Sequence, residues 1–99
     1  MEITEVTISL REEDKLKGFA NITFDNQFVV RGLKIIQGLK GFFIAMPSRK
    51  RNDGTFRDIA HPITAGFRDM MEKVVLDKYW EVVKQVPETS TVEAAEDYF

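Results

Sequence analysis

Up to Met46, hydrophobic and polar positions take turns with the period of two that a half-buried antiparallel strand requires. Val6, Ile8 and Leu10 alternate with Glu5, Thr7 and Ser9. Leu16, Ala20, Ile22 and Phe24 then alternate with Lys17, Asn21, Thr23 and Asp25, with Phe19 on the second face. Between these runs Arg11-Glu12-Glu13-Asp14 is too polar for a core and predicts a hairpin loop, and Asp25-Asn26-Gln27 predicts the next turn. Phe28 to Ile36 is rich in β-branched residues and leads to Gly38-Leu39-Lys40-Gly41, whose glycines mark a tight connection. Phe42-Phe43-Ile44-Ala45-Met46 is apolar throughout, which predicts a strand covered on both faces. Pro47 ends it, having no N–H for the ladder.

Residues 47–55 hold no buried-type side chain except the proline, and Asp53-Gly54 is a strong turn signal, so they predict an exposed loop. Phe56, Asp58 and Ala60 alternate with Arg57, Ile59 and His61, which predicts a short strand returning beside residues 42–46 until Pro62 stops it. The period then changes to three and four: Ile63, Phe67, Met70, Met71, Val74, Val75, Tyr79, Val82, Val83 and Val86 form one stripe. Arg68, Asp69, Glu72, Lys73, Asp77 and Lys78 fall mostly on the other side, so a helix is expected from about 64 to 85, bracketed by Pro62 and Pro87. The expected fold is α+β: an antiparallel sheet of four to five strands with one long C-terminal helix packed on it, spanning 1–86. Residues 87–99 lose the periodicity and predict a disordered acidic tail.

Composition narrows the chemistry. With no cysteine and one histidine, His61, among 99 residues, the chain cannot build a disulfide, a structural zinc site or a thiolate nucleophile. The opening Met1-Glu2-Ile3-Thr4-Glu5 is unlike a signal peptide and no apolar run is long enough to span a bilayer. A cytoplasmic protein without membrane attachment is expected. A net charge of −2 argues at first against a polyanionic partner. Counted by segment, residues 31–57 carry Arg31, Lys34, Lys40, Arg49, Lys50, Arg51 and Arg57 against Asp53 alone, while the two ends are acidic. Guanidinium groups bond phosphate oxygens in pairs and lysine adds charge, so a basic hairpin tip suits DNA or RNA.

Catalysis is the weakest reading. Ser48, His61 and Asp58 could meet across the hairpin, but no glycine-flanked nucleophile turn surrounds Ser48. There is no phosphate-binding glycine loop, and Asp53, Asp58 and Asp69 lack calcium-loop spacing. No enzyme activity, cofactor, metal or small-molecule substrate is expected. The candidate nucleic-acid-binding residues are Arg49, Lys50, Arg51 and Arg57, with Lys34 and Lys40 on the preceding strand and turn. A bland alternative is a solvated loop. A second is a protein-interaction adaptor in cell division whose basic loop docks an acidic partner. In the tail, Glu88, Glu93, Glu96 and Asp97 have the charge to compete with phosphate for the basic loop.

The run from Phe42 through Ala45-Met46-Pro47-Ser48-Arg49-Lys50-Arg51, continued by Arg57-Asp58-Ile59-Ala60-His61-Pro62-Ile63, resembles the signature of the stage V sporulation protein G (SpoVG) family of bacterial septation regulators. The likeness extends over about residues 2–84, including Glu2-Ile3-Thr4-Glu5-Val6, Phe28-Val29-Val30 and a helix with Arg68 and Val75-Leu76. The resemblance implies a small α+β homodimer that binds DNA, and in some members RNA, as a regulator of gene expression linked to septation or sporulation. It also implies contacts through the basic residues after the Ala-Met-Pro-Ser block, here Arg49, Lys50 and Arg51. Arg57 is added from charge and hairpin geometry, not from the resemblance.

Overall fold

In the computed structural model, residues 1–85 are described. Four strands form an antiparallel meander in the order β1-β2-β3-β4: β1 (Ile3–Leu10), β2 (Leu16–Phe24), β3 (Phe28–Gly38) and β4 (Gly41–Ala45). A separate two-stranded ribbon, β5 (Ser48–Lys50) and β6 (Phe56–Asp58), precedes the helix α1 (Ala65–Gln85). The expected α+β class, sheet and C-terminal helix are all present. The acidic segment 87–99 lies outside the described residues.

The turns follow their chemistry. Asp25 and Asn26 both take positive φ, 51° and 54°, and Gln27 N–H closes on Phe24 C=O at 2.9 Å. Two consecutive left-handed residues make the type I′ turn that suits the twist of a hairpin, and Asp and Asn are the non-glycine residues that tolerate it best. This turn is tied to the start of the chain, because Glu2 N–H donates to Asp25 Oδ1 at 2.9 Å and Asn26 N–H to Thr4 Oγ1 at 2.9 Å. Gly38 pairs with Gly41 across the next hairpin, leaving Leu39 and Lys40 at its tip.

One face of the sheet carries the core. Val6, Ala20, Ile22, Phe24, Leu33, Ile35, Ile44 and Met46 are buried there against Met71, Val75 and Tyr79 of α1. Alternation would put Val30 and Leu33 on opposite faces, being three apart. The ladder jumps from Ile22–Val30 to Ala20–Leu33, so Arg31 and Gly32 together oppose Asn21. Gly32 has φ 81° and its N–H donates to Asn21 Oδ1 at 3.1 Å. This bulge restores the core phase for the rest of β3.

The helix begins where Thr64 caps it: Thr64 Oγ1 accepts from Phe67 N–H at 3.2 Å, the bond an N-cap hydroxyl makes to the third helical residue. Burial of the Tyr79 ring pushes its phenol above the ordinary tyrosine value. Tyr79 and Trp80 both pack on Phe42 of β4, with ring centroids 5.6 and 4.9 Å away. Glu72, expected on the solvent side, instead accepts the Ile44 N–H of β4 at 3.2 Å.

Four further expectations are corrected. The strand at 56–58 does not pair with residues 42–46. It pairs with 48–50, because Pro47 interrupts the ladder and the chain leaves the sheet to form its own ribbon. Residues 48–50 are accordingly strand and not loop. Nor is β4 covered on both faces: Ile44 and Met46 are buried under α1, but Phe43, on the face turned away from α1, is 45% exposed. Met70 and Ile63 of the apolar stripe are also exposed, Ile63 because it precedes the helix and Met70 because it lies at the stripe's edge.

Candidate nucleic-acid interface

The β5–β6 ribbon is exposed along its whole length. Its register sets Ser48 against Asp58, Arg49 against Arg57, and Lys50 against Phe56. Side chains alternate along each strand, so the Arg49–Arg57 pair occupies one face and Lys50 with Phe56 the other. At the tip Arg51 N–H donates to Thr55 C=O and Gly54 N–H to Arg51 C=O, at 2.6 and 3.0 Å. Gly54 takes φ 89°, a conformation that a side chain would strain.

Asp53, the one acid of the basic segment, is exposed but bonded within the loop. Its Oδ1 accepts from Thr55 Oγ1 at 2.7 Å and from Thr55 N–H at 3.0 Å. These bonds, the hydroxyl foremost, hold its carboxyl below the ordinary aspartate value. The carboxylate therefore serves the turn. The ion pairs formed among the described residues are Lys73–Asp77 and Lys78–Glu81 on the helix, and neither engages Arg49, Lys50, Arg51 or Arg57. Like charges directly opposite on a ribbon destabilise it, and here two arginines face each other without a carboxylate between them. Such a pair is suited to an anionic group shared by both guanidiniums.

The four candidates Arg49, Lys50, Arg51 and Arg57 are thus brought together, with Asn52, Asp58 and Ile59, around a shallow concavity of about 450 Å³. Lys34 is exposed opposite Ala45, at the end of the sheet from which the ribbon springs. Lys40 is at the other end of β4, about 20 Å from Met46 at 3.3 Å per residue, and does not join the cluster. Phe56, to which alternation assigns no more than a place in a strand, is 69% exposed between Thr55 and Arg57. Its wholly polar flanks are the signal of that exposure in the sequence. His61 Nδ1 donates to Pro62 C=O at 2.9 Å, a bond within the corner between ribbon and helix. An acyl-transfer triad would direct that nitrogen to a carboxylate.

Among the described residues, a four-stranded meander backed by α1, with a basic two-stranded ribbon inserted before that helix, defines a small α+β protein with an exposed cationic arm. The SpoVG family model matches residues 1–81, and the chain belongs to that family. It is 51% identical over 89 residues to a protein of Bdellovibrio bacteriovorus, covering 90% of this chain and 82% of that one. It is 48% identical over 97 residues to a Myxococcus xanthus protein, covering 98% of each. A Clostridioides difficile protein is 54% identical over 86 residues, covering 86% of this chain and 94% of its own. All three carry the name "Putative septation protein SpoVG".

Proposed function

We propose that this protein is a non-catalytic regulator in septation or sporulation that binds DNA, and also RNA, through the β5–β6 ribbon. The septation role follows the relatives' names. The observation that carries the binding is the Arg49–Arg57 cross-strand pair, flanked by Lys50 and Arg51, with no ion-pair partner among the described residues. Removing one phosphate-binding side chain should flatten the slope of log K against log salt by roughly 0.9 on duplex DNA. Phe56 beside Lys50 adds a flat apolar ring on which an unpaired base can stack.

The working unit is a homodimer. The helix covers only one face of the sheet, and the other exposes Phe43 next to Ile36 in the ladder, apolar surface that a second copy would remove from water. Two ribbons on one dimer then grip one polyanion. The test is the triple variant Arg49→Ala/Lys50→Ala/Arg51→Ala. It should keep the parent's far-ultraviolet spectrum and dimer mass by light scattering while losing affinity for a duplex and for a single-stranded oligonucleotide at low salt. Undiminished affinity would refute the ribbon as the interface. The adaptor reading is favoured only by the exposed Ile59 at the ribbon's base. A cellular partner that survives nuclease treatment of the complex would choose it.

A further inference from the structure

A second feature lies where the ribbon leaves the sheet. Phe28, Val30, Met46, Pro62, Ile63 and Phe67 line an apolar groove of about 390 Å³, with Phe28 66% and Ile63 90% exposed. Its rim and the basic ribbon are continuous. Met46 is two residues before β5, and Ala60, also in the lining, is two residues after β6. An occupant of the groove would therefore have its neighbouring residues beside Arg49 and Arg57.

We propose that the groove receives Tyr98 and Phe99 of this chain, and that Glu96 and Asp97 then lie against the ribbon's arginines and shield them from phosphate. This inference rests on the ribbon being the nucleic-acid interface. Two independent complementarities point to this occupant: an aromatic pair for an apolar groove, and an adjacent acidic pair for a basic ribbon. Residues 86–99 contain four acids and no base. The reach is sufficient. From Gln85 back to Phe67 the helix is about 27 Å long at 1.5 Å per residue, and the 13 residues from Gln85 to Tyr98 span up to about 43 Å when extended. Tethering also favours this segment over a free partner, since a linked segment acts at a high effective concentration that dilution does not lower.

The experiment uses the full chain, which has no cysteine, so Ala95→Cys gives a single site for a nitroxide label. Amide signals of Phe28, Ile63, Phe67 and Arg57 should broaden selectively, and Tyr98→Ser/Phe99→Ser in the labelled chain should restore them. Broadening confined to Val83, Lys84 and Gln85 would overturn the docking. So would broadening of the groove only between a labelled and an unlabelled copy, which would assign the groove to a second chain. In the unlabelled protein, the same double substitution should tighten binding of a 20-nucleotide single strand at low salt by about threefold or more. Unchanged affinity would overturn the shielding. If neither protein binds any oligonucleotide, the ribbon reading fails, while the relaxation data still decide the docking.

Discussion

Gly32 shows how one residue decides which side chains reach the core. Its φ of 81° lies where a Cβ is strained, and its N–H is held by Asn21 Oδ1. Gly32→Ala should lower the free energy of unfolding by about 1–3 kcal/mol, read by urea denaturation with an unchanged slope. A neutral result would mean that the bulge relaxes at no cost. The β-branched content of Phe28 to Ile36 predicts an unbroken strand, but the isolated Gly32 and the spacing of three between Val30 and Leu33 are the two signs of a bulge that the sequence does carry. Glu72 escapes the pattern for another reason: helical periodicity assigns a residue to a side of the helix, but a long carboxylate can still reach a backbone N–H at the margin of the sheet.

At the scale of elements, periodicity locates the helix and the four sheet strands well, because each of them buries one face and is patterned by that burial. The ribbon obeys no such rule. All six of its paired residues are exposed, so alternation there carries no information about partners, and it points residues 56–58 to the wrong neighbour. The basic cluster itself is legible, since charge does not depend on which strands pair. Phe56 supplies the element's test. Phe56→Ala should cost about 1–3 kcal/mol in binding a single-stranded oligonucleotide and markedly less with a duplex, whose bases are already stacked. Equal losses on both would refute stacking.

For the whole molecule, location of charge should outweigh its total. Lys78 and Arg57 are both surface cations, one half-buried on the helix beside Glu81 and the other exposed in the ribbon. Replacing either with glutamate changes the net charge by the same amount. Arg57→Glu should abolish oligonucleotide binding at moderate salt, whereas Lys78→Glu should leave it within about twofold, as titrations by fluorescence anisotropy would read. Similar losses from both would mean that only the overall field matters. Lys34 and Lys40 divide the same way: one stands at the ribbon's end of the sheet and the other at the far tip of the β3–β4 hairpin.

The bond from the Ile44 amide to Glu72 has a meaning beyond the stability of one chain. β4 is a border strand, and its outward N–H groups would otherwise template the strand of any neighbour, which is how soluble sheets begin to polymerise. A carboxylate placed on that border both occupies the donor and repels an incoming acidic edge. The molecule thus leaves its β5–β6 ribbon exposed while one outward donor of a sheet border that would otherwise pair with a neighbour's strand is already occupied.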